Sequence, residues 1–533
     1  MTTPEDKSQS AWASLREPVF RELWIASLVS NIGGWMQSVG AAWLMTSLTS
    51  SALMVAMVQS AGSLPVVLLA LPAGALADIA DRRTILLISQ FWMLTAAAAL
   101  ASLAFANSVT PIVLLALTCA LGMGNALMGP AFQAVITEVV PSSQMSSAVS
   151  LNSAGFNLAR AVGPAMGGLI LAKAGAGFAF LLNAVSFLAV IVVLVKWKAD
   201  SRRSVLPAER FVGAVRGGLR YVRYAPALRA VLCRTAGFVI FGSALWALLP
   251  LVVRDELRLG PSAYGMTLGA LGVGAVLGAL VLPVLRRRYS REILVIGNTV
   301  VFALVIGSTV LLRSYPLLIV PLAAAGAAWM ILLSVLNVAV RSVVPAWVEA
   351  RVLAAYLIIF QGGTASGSVL WGEVTAKMGL RWALLCAGAG LFLTLLLVFR
   401  YPLSAIDTLN VAPAPTWAAP PLLDASLSAM SPALVTIHYE VDTSRTSDFR
   451  KAMHRMEGSR RRGGATCWGL FADPVRPGVY MEHFLVESWV EHLRQHDRTV
   501  ADDSILEETI RRMQRGPDPP LVTHYIADER KDG

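Results

Sequence analysis

The sequence predicts an all-α multi-pass membrane protein of twelve transmembrane helices, arranged as two six-helix pseudo-symmetric halves and followed by a soluble α+β domain. Three observations carry that prediction. Of the 533 residues, 56% are hydrophobic and only 14% charged, against roughly 25% charged in average soluble domains. Twelve long apolar segments lie before residue 403. All six histidines fall after Pro432, so the last hundred residues have a different composition from the rest. A disordered chain and an ordinary soluble protein are both excluded.

Residues 1–20 are polar, carry acids and show no cleavable signal pattern, so Met1 is expected to begin the mature chain with a short cytoplasmic segment. A membrane span needs about 20 predominantly apolar residues. The candidates are 21–46, 52–77, 84–106, 110–137, 145–172, 177–197, 230–253, 262–285, 292–312, 315–340, 352–376 and 380–400. They define an N-terminal half, 21–197, and a C-terminal half, 230–402, joined by a basic cytoplasmic loop, 198–229. Residues 403–431 contain APAPTWAAPP, which reads as a stiff, extended linker. Residues 432–530 form the soluble domain.

The net charge of +11 allows either nucleic-acid binding or basic loops on a membrane protein. Residues 1–431 hold 29 Lys and Arg against 16 Asp and Glu, whereas 432–533 hold 15 against 17. With the N-terminus inside the cell, 21 basic residues fall on cytoplasmic connections and six on the other side. Lys and Arg accumulate on the cytoplasmic side of membrane proteins. The charge is therefore topological: both termini are expected in the cytoplasm, the lipid bilayer is the partner, and no nucleic acid is. Cys119, Cys233, Cys386 and Cys467 lie far apart, so neither a disulfide framework nor a metal knuckle is expected.

The halves repeat at an offset of 204 residues. Gly74-Ala-Leu76 with Arg82-Arg83 matches Gly278-Ala-Leu280 with Arg286-Arg287, and Val139-Val140-Pro141 matches Val343-Val344-Pro345. Gly163, Gly168, Lys173 and Gly175 match Gly367, Gly372, Lys377 and Gly379. Repeats of this kind bind substrate between them near the bilayer midplane and rock for alternating access. The pattern points to a secondary transporter.

Two motifs sharpen it. Gly74-Ala-Leu-Ala-Asp78-Ile-Ala-Asp81-Arg82-Arg83 resembles the signature that follows the second helix of the major facilitator superfamily, with Asp81 where that signature has Gly. The resemblance implies a conformational switch, in which a carboxylate at a helix end pairs with arginines and a neighbouring helix. An ordinary surface ion pair is the alternative reading. Ala159-Arg160-Ala-Val-Gly163-Pro164-Ala-Met-Gly167-Gly168 resembles that superfamily's exporter signature, with Ala159 in place of the first Gly. Small residues let helices approach closely and Pro164 kinks the helix; glycine-mediated packing alone would also account for the glycines. Ser30-Asn31, Gly33-Gly-Trp35-Met36-Gln37, Leu151-Asn152-Ser153 and Asn157-Leu-Ala-Arg160 resemble the enterobactin-exporter-like branch. That implies proton-driven efflux of a small organic molecule such as a siderophore, drug or metabolite, with the proton gradient as energy source and no cofactor.

Polar groups at membrane depth are expensive and line cavities or pair internally. Arg160 is the outlier, placed to meet an anionic substrate or a proton-site carboxylate, or to bond backbone carbonyls. Asn31, Gln37, Gln59, Asn125, Gln133, Asn152, Asn157, Asn337 and Gln361 are the other cavity candidates. Glu373 stands four residues before Lys377, a structural ion-pair spacing. Asp78, Glu138 and Glu373 are the plausible membrane-embedded acids, so the proton carrier follows from the resemblance alone.

In the soluble domain, 433–441 alternates like a strand. Residues 446–461 carry Phe449, Met453 and Met456 at helical spacing, strands 465–472 and 479–487 follow, and a helix pair at 488–515 precedes a last strand at 521–527. The order βαββαβ predicts a ferredoxin-like fold. Tyr480-Met-Glu482-His-Phe-Leu-Val-Glu487-Ser-Trp489, followed by Glu491-His492-Leu-Arg494-Gln-His496, resembles the antibiotic-biosynthesis-monooxygenase-type dimeric α/β barrels. That resemblance implies dimerisation. His438, Trp489, His492 and His496 are the pocket candidates; His492 and His496 have a metal-compatible spacing but no third ligand. The domain is read as a regulatory or ligand-sensing accessory. A domain that modifies the exported compound, and a lipid or lysophospholipid translocase on the same scaffold, are the alternatives.

Overall fold

The computed structural model describes residues 12–79, 81–197, 211–345, 347–406, 409–412, 414, 431–516 and 518–527. The first half comprises α1 (Pro18–Leu48), α2 (Ala52–Ile79), α3 (Arg82–Phe105), α4 (Pro111–Val139), α5 (Met145–Ala174) and α6 (Ala176–Lys196). After α7 (Phe211–Tyr224), the second half comprises α8 (Pro226–Leu251), α9 (Pro261–Arg288), α10 (Arg291–Leu311), α11 (Tyr315–Ser342), α12 (Glu349–Met378) and α13 (Leu380–Thr394), the last extended by a turn at Leu397–Arg400. The helices begin where local chemistry permits. Asp81, Thr110 and Ser290 each accept a hydrogen bond from a first-turn amide of α3, α4 and α10. Gly175 and Gly379, related by the 204-residue offset, both take positive φ (83° and 87°) at the joints α5–α6 and α12–α13. The repeat thus preserves a backbone conformation as well as residue types.

Among the described residues, ten helices are long and apolar enough to cross a membrane. That differs from the twelve expected. The first and fifth expected spans, α1 and α5, are helices of 31 and 30 residues but fall outside those ten. The reason is polarity: α1 carries Arg21, Glu22, Asn31 and Gln37, and α5 carries Ser146, Asn152, Asn157 and Arg160.

The chain divides into two compact units. The first holds α1–α6 and most of α8–α13. Within it α5 packs against both α1 and α9. A Cβ on Gly163 would stand 2.6 Å from the Trp35 Cβ of α1, and one on Gly168 would stand 2.6 Å from the Gly265 Cα of α9. Neither distance is available to a larger residue, so the small-residue motif closes two helix interfaces at once.

The second unit holds 209–231, 338–355 and 403–533. Its sheet comprises β1 (Ala433–Glu440), β2 (Ala465–Ala472), β3 (Val479–Val486) and β4 (Leu521–Ile526), antiparallel in the order β2-β3-β1-β4. Helices α14 (Thr446–Gly463), α15 (Trp489–Asp497) and α16 (Ala501–Arg511) complete it, and the element order is the predicted ferredoxin-like one. Phe449, Met453 and Met456 of α14 are buried against Val435, Ile437, Tyr439 and Phe484. This core sits on one sheet face only, because strand residues alternate sides. The segment read as a basic loop contains α7. Its Tyr221 is buried, donates to the Val343 carbonyl at 3.2 Å and meets the Trp347 ring edge-on.

Candidate functional site

A cavity of about 420 Å³ opens inside the first unit, lined by residues of both halves. Ligand sites commonly span roughly 300–1,000 Å³. Asn31, Gln37, Gln59, Asn125 and Gln361 line it. Sequence reasoning missed Trp35, Thr118, Asn183, Trp246 and Tyr264, which also line it. For Asn183 the signal was available, as a lone amide in the strongly apolar α6; for the aromatics it was not, because Trp and Tyr are common at membrane depth. Asn183 Nδ2 donates to Gln37 Oε1 at 3.5 Å, and the Ser186 hydroxyl donates to the Asn183 carbonyl at 2.6 Å. This anchors α1 to α6 behind the cavity.

Four candidates stand elsewhere. Gln133 is exposed, and Asn157 donates to the Ser153 carbonyl of its own helix at 2.9 Å. Asn152 and Asn337 are half-buried and lie off the cavity wall. Helical rotation decides this: a position read as mid-span still has roughly even odds of facing away from the centre.

Arg160 lies between two tryptophans of the cavity wall. Its guanidinium carbon is 6.0 Å from the Trp35 ring centre and 5.2 Å from that of Trp246. Cation–π contacts contribute about 0.5–2 kcal/mol each, whereas burying an unpaired ion costs several kcal/mol. The Arg160 Nε is buried and has no hydrogen-bond partner, and the same holds for Trp246 Nε1, Gln37 Nε2 and Thr118 Oγ1.

At the α2–α3 joint, Asp81 caps α3. Its carboxylate accepts from the Thr84 amide at 3.0 Å and from the Thr84 hydroxyl, and that hydroxyl holds Asp81 below the ordinary carboxylate range. Asp81 is thus a helix cap at the position where the motif has glycine. Arg82 pairs with Glu138 at the end of α4. Arg83 donates to the Leu194 and Val195 carbonyls at 2.8 Å, closing the end of α6. Gly74 has no neighbour within 4 Å of an added Cβ. The Asp78 side chain lies outside the described residues. At another set of helix ends, Glu256 accepts from Arg381 at 3.0 and 3.2 Å and pairs with Arg313. Lys377 and Glu373 pair at 2.9 Å.

In the C-terminal domain the pocket candidates separate. Trp489 and His492 are buried on the helix-covered face beside the half-buried His524 of β4; the His492 and His524 rings lie 5.0 Å apart. His492 Nδ1 meets Gln495 Oε1 at 3.3 Å. His438 is exposed on the opposite face, one residue out of phase with the buried Ile437 and Tyr439. The His496 side chain lies outside the described residues. Among the described residues, no group of three His, Cys, Asp or Glu side chains is placed to hold a metal. The buried polar centre is instead Glu482, which accepts from the Tyr439 hydroxyl at 2.9 Å, Arg460 Nε at 3.2 Å and Trp468 Nε1 at 2.9 Å. Burial and the Glu482 charge hold the Tyr439 hydroxyl well above its ordinary pKa.

A family model described as transmembrane secretion effector, MFS_3, matches residues 9–532. The chain belongs to this major facilitator superfamily family. The match extends through the C-terminal domain. The transporter is 29% identical over 369 residues to the multidrug efflux pump Tap of Mycolicibacterium fortuitum, covering 67% of this chain and 88% of that protein. It is 23% identical to the Staphyloferrin A transporter of Staphylococcus aureus, covering 48% and 65%. It is also 23% identical to macrolide efflux protein A of Streptococcus pyogenes, covering 53% and 70%. Among solved structures, an inward-facing bacterial homologue of the lysosomal transporter Spinster superposes with TM-score 0.58 at 13% identity, covering 75% of this chain and 98% of that one. That likeness shows the fold. The transporter is therefore a multi-pass membrane protein whose cavity lies where the two repeats meet.

Within the second unit, α7 is held by charge and aromatic contacts. Arg216 pairs with Glu487 at 3.3 Å and Arg220 with Glu491 at 3.6 Å. Arg462 donates to the Tyr224 carbonyl at 3.3 Å, and Arg461 lies over the Tyr224 ring at 5.3 Å. Burial pushes the Tyr221 hydroxyl up to about 12. None of these pairings is legible in the sequence, because partners stand more than 200 residues apart.

Proposed function

We propose that this transporter exports a small organic molecule, a siderophore, drug or metabolite, by alternating access driven by the proton gradient. The observation that carries the reading is the polar cavity, lined by residues of both repeats. The names of the relatives support the direction: two are efflux proteins and one transports staphyloferrin A. The wording of α1 and α5 supports placing it in the enterobactin-exporter-like branch. The Lys and Arg distribution supports an inner-membrane protein with both termini cytoplasmic. No Asp or Glu lines the cavity among the described residues, so Glu138, in its pair with Arg82, is the acid we assign to proton movement.

We assign the C-terminal domain an accessory, regulatory role. Its support is the set of contacts that α14 and α15 make with α7 and with 338–355, segments that continue directly into α8, α11 and α12. The open sheet face presents Phe471, Leu485 and Tyr525, exposed apolar groups suited to pairing with a second copy.

The test is flux in inverted vesicles from a strain lacking its own efflux pumps. Respiration-driven, protonophore-sensitive accumulation of dye or drug is expected. Accumulation indifferent to the protonophore would remove proton coupling. Complementation without residues 432–533 separates transport from regulation.

A further inference from the structure

We propose that the cavity selects organic anions, with Arg160 as the group that recognises the negative charge. The proposal rests on the cavity being the transport site. The wall carries three buried polar atoms with no hydrogen-bond partner, Trp246 Nε1, Gln37 Nε2 and Thr118 Oγ1, and Arg160 Nε, next to wall residues Trp35 and Trp246, is a fourth. Three of the four can only donate, and the Thr118 hydroxyl donates or accepts. Among the described residues no Asp or Glu lines the cavity. The guanidinium lies over the rings of Trp35 and Trp246. A wall with unmet donors and one cation against its tryptophans is complementary to a ligand that brings acceptors and a negative charge. Buried donors left without acceptors penalise the empty state, so a carboxylate gains more here than an isosteric neutral group does. A cation would meet a like charge and no acid. Trp35, Trp246 and Phe156 on the same wall suit a flat apolar body attached to that anion. The ligand class is therefore an aromatic or otherwise flat organic carboxylate or comparable anion, sized for 420 Å³.

The test uses the full-length protein purified in a non-ionic detergent. Binding of 2-naphthoate and of its neutral isostere 2-naphthamide is measured by titration calorimetry. The wild type is expected to bind the acid about tenfold tighter than the amide, the difference expected of a charge-assisted contact over a neutral one. Arg160→Gln is expected to bind the two equally, and Arg160→Lys to keep part of the preference. Equal affinities in the wild type, an unchanged preference in Arg160→Gln, or no binding of the acid at millimolar concentration would overturn the proposal. Because the wild-type comparison needs no variant, a poorly folded Arg160→Gln leaves the test intact. A wild type that shows the preference but moves nothing across vesicles supports anion selection and sinks the export reading instead.

Discussion

Arg498 holds its guanidinium 4.3 Å from the centre of the Trp347 ring. The same arginine pairs with Glu491 and donates to the Gly463 carbonyl at 3.1 Å, so one residue ties α14, α15 and the segment between α11 and α12. A desolvated cation–π contact contributes about 2 kcal/mol. Trp347→Ala is expected to raise trypsin cleavage after Arg461 and Arg462 by several fold in membranes, with Trp347→Phe close to wild type. Unchanged cleavage in Trp347→Ala would show that the ring holds nothing in place.

Glu482 is fully buried and accepts three hydrogen bonds, one from a guanidinium. Removing one partner of a buried ion pair typically costs 3–5 kcal/mol. Glu482→Gln keeps the shape but removes one of the carboxylates paired with Arg460, leaving the Glu507 pair in place. Hydrogen exchange in β1 and β3 is expected to accelerate by at least about a hundredfold, the equivalent of roughly 3 kcal/mol. Protection in α1–α6 should not change.

The α5–α9 contact is tight enough to test with one methyl. A Cβ at Gly265 would meet the Pro164 carbonyl and the Gly168 Cα, both at 2.6 Å. Gly265→Ala is expected to cut flux strongly while the protein still reaches the membrane, because backbone cannot yield as a side-chain tip can. Gly307→Ala, with nothing within 4 Å, is the control and should transport normally. Equal transport by both would mean the interface has slack.

The Arg82–Glu138 pair is about one-third exposed at both ends. Exposed pairs contribute only about 0–1 kcal/mol to stability. Arg82→Gln and Glu138→Gln should therefore leave expression unchanged. If the pair biases one conformational state, each variant shifts the equilibrium by the same lost contact. Arg82→Gln is then expected to lower flux while keeping its protonophore sensitivity, Glu138→Gln to lower it and lose that sensitivity, and the double variant to match Glu138→Gln. Additive losses would separate the two residues.

Burial lowers the His524 pKa from its ordinary value of 6.5. The folded domain therefore binds fewer protons than the unfolded chain at mildly acidic pH, and stability rises with pH there. The domain should be at full stability above pH 6.5 and lose it as the pH falls toward the lowered value, below which the loss levels off. His524→Gln should flatten that slope. The check is the urea midpoint for the C-terminal sheet between pH 5 and 8, read by hydrogen exchange. A slope that persists in the variant would show that His524 is not its source.

Much of the architecture was determined locally and was readable. Apolar length set the spans, the Gly-Pro-Gly spacing in α5 marked a close contact, and strand alternation placed β1 to β4 within a residue or two. Phe449, Met453 and Met456 are buried because a 3.6-residue period leaves them on one face. Arg160 stood out because a charge inside a span is costly wherever it points. The tertiary structure decided everything that depends on rotation or on distant partners. It put Asn31, Gln37, Gln59, Asn125 and Gln361 on the cavity and left Gln133, Asn152, Asn157 and Asn337 off it. It turned Asp81 into a cap and split His438 from His492 across the sheet. It also paired Arg220 with Glu491, residues 271 positions apart in the chain. The physical reason is the same in each case: burial cost depends on what a side chain faces, and that is set only once helices pack.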